Sequence, residues 1–127
     1  MNAVDLITLL ALLQFFAFGA LVGRARGRFG VKAPAIVGHE MFERAYRVQM
    51  NTMELLVLFL PALYLAAKHW SASYAAVAGA VYLVGRVLYW RAYMRSPDSR
   101  SFGFAVSMGP ILVLIVASLV GLARPLI

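Results

Sequence analysis

Cysteine is absent from the chain. That excludes a disulfide framework and a cysteine nucleophile, so any thiol that takes part in chemistry must arrive with a substrate. Histidine occurs only twice, at His39 and His69, and no spacing in the chain suits a metal site. No serine sits in a nucleophile elbow, and no glycine-rich loop follows a strand-like run. Charged residues are also scarce. They make up 13% of the chain against 63% hydrophobic residues, too few to cover a soluble domain of this size. The formal charge of +7 does not point to nucleic acid, because the basic residues stand at the ends of apolar segments and form no recognisable basic, aromatic surface.

What is present is a series of long apolar segments. The pattern predicts a single all-α membrane domain over 1–127, with helices at about 3–23, 40–68, 74–95 and 101–123. About 20 apolar residues suffice to cross a hydrocarbon core of roughly 30 Å. Gln14 is the mid-span amide of the first segment and reads as a helix–helix hydrogen bond. Gly27, Gly30, Pro34 and Gly38 argue for a loop over 24–39. Pro61 and Pro110 fall inside the second and fourth helices, where each removes a backbone donor and favours a bend. Asp98 or Ser99 is placed to cap the fourth helix, and Gly103, Gly109 and Gly121 permit it to pack closely.

The basic residues set an expected orientation. Arg24, Arg26, Arg28, Lys32, Arg91, Arg95 and Arg100 belong to the first and third connections or adjoining helix ends, whereas the opposite side holds only Lys68 and Arg124. The positive-inside rule then places the first and third loops in the cytoplasm and both termini outside.

Two polar stripes interrupt the apolar pattern. Arg44, Arg47, Asn51 and Glu54 follow at spacings of three, four and three; Tyr82, Arg86, Tyr89 and Tyr93 follow at four, three and four. Each set lies on one helical face. A charge inside a membrane helix costs roughly 2.5 to 3.5 kcal/mol on insertion scales unless it pairs or faces a polar cavity. Both stripes fall toward the cytoplasmic side. Arginine grips carboxylates in bidentate fashion, glutamate holds an ammonium group, and asparagine and tyrosine hydrogen-bond a peptide or a thiolate. The set suits a zwitterionic, peptide-like ligand at the membrane boundary, with an apolar co-substrate approaching through lipid. A purely structural use stands beside it. Arg47 and Glu54 could pair across two turns, or with Arg86, and the tyrosines could form an interfacial belt.

The run Phe42-Glu43-Arg44-Ala45-Tyr46-Arg47-Val48-Gln49-Met50-Asn51-Thr52-Met53-Glu54 resembles the second-helix signature of the MAPEG family, the membrane-associated proteins in eicosanoid and glutathione metabolism. Its members include microsomal glutathione transferases and the leukotriene C4 synthase type. Gly85-Arg86-Val87-Leu88-Tyr89-Trp90-Arg91-Ala92-Tyr93-Met94-Arg95-Ser96, followed by Arg100, resembles the end of the family's third helix and its loop. The resemblance implies a homotrimer of four-helix subunits that binds glutathione as co-substrate between neighbours on the cytoplasmic side. Arg47, Asn51, Glu54, Tyr89 and Tyr93 match glutathione-holding positions, with Gln49 assisting and Arg44 and Arg86 on the same stripes. Arg100, or a first-loop arginine matched by Arg26 or Arg28, is implied to stabilise the thiolate, with Tyr89 beside it. Leu55 replaces a tyrosine of the leukotriene synthase type. The implied activity is a transferase or peroxidase acting on a lipophilic electrophile or hydroperoxide. The alternative is a non-catalytic lipid- or glutathione-binding module of the same fold. A small multidrug transporter is disfavoured, because such a protein needs a mid-membrane carboxylate, usually in its first helix, and here that helix has only Asp5, at its end.

Overall fold

A computed structural model describes residues 2–126. Its elements are α1 (Asn2–Phe29), α2 (Glu40–His69), α3 (Ala72–Arg95) and α4 (Ser101–Ala123), with single 3-10 turns at Pro97–Ser99 and Arg124–Leu126. No strand occurs among the described residues. All four helices are long and apolar enough to cross a membrane, so the chain is an integral, multi-pass membrane protein.

Helix α1 is longer than its apolar segment. It continues through Gly27 to Phe29, where a loop was expected. The glycine that ends it is Gly30, at φ 70°. The Val31 N–H then donates to the Arg26 carbonyl at 3.1 Å, the six-to-one bond of a Schellman close. Gly27 has open space around its Cα, and Arg26 and Arg28 in the last turn complement the helix dipole. Helix α3 likewise begins earlier than the apolar pattern suggests. Ser71 Oγ accepts from the Tyr74 N–H at 3.2 Å, so Tyr74 is the third residue of the helix, not its first. For α4 the expected side-chain cap is not made. Arg100 occupies the cap position without a side-chain bond, while Ser99 Oγ turns back to the carbonyls of Ala92 (3.0 Å) and Ser96 (2.7 Å) at the end of α3. His39, to which the sequence gives no role, caps α2 by accepting from the Met41 N–H.

Helices α3 and α4 meet backbone to backbone. A Cβ on Gly85 would stand 2.6 Å from the Ser107 amide nitrogen, and one on Gly103 would strike the Tyr89 backbone. Gly121 approaches the His69 carbonyl in the same way, but Gly109, expected to do so, faces open space. Gln14 Nε2 donates to the Leu83 carbonyl at 3.0 Å, joining α1 to α3. The main core gathers Val4, Ile7, Phe59, Leu63, Ile111 and Leu114 around Tyr82, whose ring stacks on Phe59 at 3.8 Å between centroids. The outside is no less apolar: Phe16, Val57 and Phe102 are all about 70% exposed. Such a collar is unfavourable in water and appropriate in hydrocarbon. Pro61 and Pro110 lie inside unbroken helices.

Candidate functional site

The polar stripes of α2 and α3 meet, and their members separate into an inner and an outer group. Arg86 is the centre of the inner group. It is fully buried. Its Nε donates to Ser107 Oγ at 3.0 Å, and its Nη1 donates to Asn51 Oδ1 at 2.8 Å and Thr52 Oγ1 at 3.1 Å. Its guanidinium carbon lies 4.4 Å from the centroid of the Tyr89 ring, a cation–π distance. One side chain thus ties α2, α3 and α4 together. Sequence reasoning placed Arg86 among ligand-binding residues; the structure turns it into the bundle, against Asn51. Thr52 and Ser107 are buried members of this group that the stripes do not include. Both also donate to the carbonyl four residues earlier, Val48 and Gly103. For Ser107 a hydroxyl in an otherwise apolar stretch was the signal available; Thr52, next to Asn51 in the polar half of α2, offered none of its own.

The outer group faces away from the core. Arg47 and Glu54 are exposed, and Asn51 is half-buried. Among the described residues neither Arg47 nor Glu54 makes an ion pair; the pair present is Arg44 with Glu40. Tyr93 stands 5.5 Å from Tyr89, ring to ring. It lines a cavity of about 210 Å³ with Glu40, Glu43, Arg44, Arg47 and Pro97. Arg100 is exposed, with Nη1 donating to the Pro97 carbonyl at 2.9 Å.

Three further predicted residues make contacts within the chain. Arg44 Nη1 donates to the carbonyls of Met94 (2.9 Å) and Arg95 (3.1 Å), closing the C-terminus of α3 where the dipole favours a cation. Arg26 Nη1 donates to Ala35 O at 2.7 Å, and its guanidinium covers the Phe42 ring at 4.7 Å. It holds the first loop and is not brought to the Tyr93 cavity. Gln49 packs against Gly19 of α1: a Cβ there would lie 2.9 Å from Gln49 Nε2.

Four helices fit to cross a membrane, with a polar face shared by α2 and α3, define an α-helical, multi-pass membrane protein. Residues 4–120 match the profile of the MAPEG family, and the chain belongs to that family. It is 43% identical over 117 residues to an uncharacterized protein of Synechocystis sp., covering 92% of this chain and 85% of that one. It is 32% identical over 118 residues to microsomal glutathione S-transferase 2 of Homo sapiens (93% and 80% covered). To leukotriene C4 synthase of Bos taurus it is 35% identical over 116 residues (91% and 77% covered).

Proposed function

We propose that the protein is a glutathione-dependent membrane enzyme that activates the glutathione thiol for attack on a lipophilic electrophile or hydroperoxide. The observation that carries this reading is the outward-facing Arg47 and Glu54 on one face of a membrane helix, neither of them in an ion pair among the described residues, with Arg47 lining the same cavity as Tyr93. Charges of opposite sign held apart on that face match the carboxylates and ammonium group of a zwitterionic tripeptide. The relatives named for glutathione transfer and leukotriene C4 synthesis support the same ligand.

In this reading Arg47 binds a carboxylate, Glu54 the ammonium group, and Asn51 and Tyr93 the peptide. Arg100 and Tyr89 face the sulfur. A cysteine thiol has a pKa near 8.5, and a neighbouring guanidinium favours its ionised form. The thiolate then forms a C–S bond while the electrophile's leaving group or opened ring takes the electron pair. With a hydroperoxide, two glutathione molecules reduce the O–O bond to an alcohol and water and are themselves oxidised to the disulfide. In this reading the exposed site face is completed by a neighbouring subunit, in the homotrimer that the family resemblance implies. The basic side of the bundle, and with it the site, faces the cytoplasm, leaving both termini outside.

Calorimetric titration of the detergent-solubilised protein with glutathione tests the reading, with Arg47→Ala as comparison. Saturable binding that the variant loses is expected; no binding by the native protein overturns it. Turnover of a reactive aryl halide distinguishes an enzyme from a module that binds glutathione or lipid without catalysis.

A further inference from the structure

A second cationic feature shares no lining residue with the Tyr93 cavity. Where α1 overruns its apolar segment, it stands beside α2 and α3 and leaves a groove of about 280 Å³. The groove is floored by Leu21, Met41, Trp90 and Met94 and edged by Arg24 and Arg28. Both arginines are exposed. Among the described residues neither has a carboxylate partner, and Arg28 rests against the Phe29 ring at 5.4 Å.

The two arginines are four residues apart on one helix, so they share a face and differ in height by about 6 Å. The apolar run of α1 ends at Gly23. Arg24 therefore lies at the edge of the hydrocarbon and Arg28 one turn beyond it. The headgroup layer on each side of a bilayer is itself roughly 5 to 7 Å deep, from the difference between total and hydrocarbon thickness. Two guanidinium groups thus span the phosphate layer directly above an apolar floor. Gly23 and Gly27, with nothing within 4 Å of where a Cβ would stand, keep this part of α1 open.

From the juxtaposition of Arg24 and Arg28 with this apolar groove, we infer that the protein carries a site for an anionic phospholipid, its phosphate held by the two arginines and one acyl chain lying along Leu21 and Trp90. A neutral lipophilic molecule would not use the guanidinium pair, and a water-soluble phosphate would leave the groove floor empty. A phospholipid with net negative charge uses both features, and basic pockets between membrane helices on the cytoplasmic side are of the kind that bind such headgroups.

The chain has two tryptophans, so Trp70→Phe leaves Trp90 as the sole indole reporter. The full-length protein in that background is reconstituted with phosphatidylglycerol or phosphatidylcholine bearing the same brominated chains, and Trp90 fluorescence is read against the mole fraction of brominated lipid. Half-quenching is expected at a mole fraction lower by on the order of tenfold for phosphatidylglycerol, since each arginine near an anionic surface contributes several-fold. Arg24→Gln with Arg28→Gln should bring the two curves together, and soluble glycerol phosphate should leave quenching unchanged. The charge-matched comparison is Arg91→Gln with Arg95→Gln, which edge a different cleft between α3 and α4 and should keep the separation. Coincident curves in the parent protein overturn the site. So does a separation that survives in the Arg24/Arg28 variant, or that the Arg91/Arg95 variant removes equally.

Discussion

Arg86 Nη1 stands 2.8 Å from Asn51 Oδ1. The bond takes up the carbonyl end of the Asn51 amide, so its NH₂ end is the part left to meet a ligand. A fully buried cation in the bundle thereby orients a neutral, half-buried residue at the edge of the outward face of α2. Arg86→Ala should lower melting stability in detergent by about 2–4 kcal/mol. It removes several charge-assisted hydrogen bonds of about 1.5–3 kcal/mol each, partly offset by the relief of a buried charge. Glutathione affinity should fall with it, at a temperature where the variant remains folded. Arg86→Lys should be intermediate, because an ammonium cannot present the planar fork that reaches Asn51, Thr52 and Ser107 at once.

Glu54 is exposed, so its replacement should act on ligand more than on fold. Glu54→Gln should weaken glutathione binding by about tenfold, read by calorimetry, with the melting temperature unchanged within error. An unaltered affinity would remove Glu54 from the ammonium role.

Arg100 stands at the entry to α4, bound to the Pro97 carbonyl and otherwise exposed. Arg100→Ala should reduce kcat by more than it raises KM. Losing a cation near the sulfur raises the pKa of the bound thiol, so the rising limb of the pH–rate profile should move upward by about one unit. If kcat and its pH dependence both hold, the thiolate is stabilised elsewhere.

Arg44 contrasts with these residues. Its bonds go to the last carbonyls of α3. Arg44→Ala should therefore cost about 1–2 kcal/mol of stability and change glutathione affinity by less than Arg47→Ala does.

The α3–α4 seam gives a test of packing alone. Gly85→Ala should destabilise by about 1–3 kcal/mol, because its Cβ would meet the Ser107 backbone and backbone cannot move aside as a side chain can. Gly109→Ala should change stability by less than about 0.5 kcal/mol, since its surroundings are open. Thermal unfolding of the two variants side by side measures the difference.

Much of the fold was legible because hydropathy at this length scale leaves few alternatives. Four apolar segments in a chain of 127 residues are four membrane helices. Helix ends were less legible, since they depend on local bonds that hydropathy does not register. Gly30 rather than Gly27 ends α1, and Ser71 starts α3 two residues before the apolar pattern does. The stripes placed Arg47, Asn51, Glu54 and Arg86 on two helical faces, but periodicity gives a direction only relative to a helix's own axis. It did not separate Arg86, turned inward, from Arg47, turned outward. Nor did it reveal that Arg26 donates to a loop carbonyl, or that Arg44 divides its donors between Glu40 and the end of α3. Thr52 and Ser107 were invisible as a pair because their connection passes through Arg86, on a third helix.

The interior position of Arg86 also bears on how the chain enters the bilayer. The apolar 18-residue stretch of α3 has a mean hydropathy of 1.3, the lowest of the four such stretches, and the helix carries a guanidinium that hydrocarbon alone would reject. Asn51 and Thr52 are synthesised before it, whereas Ser107 follows it by 21 residues. During biogenesis α3 must therefore settle against an α2 already waiting in the membrane, and it is fully accommodated only when α4 arrives. The contacts of Arg86 would make insertion of the second half cooperative, with the first half acting as the solvent for a charge that lipid cannot dissolve.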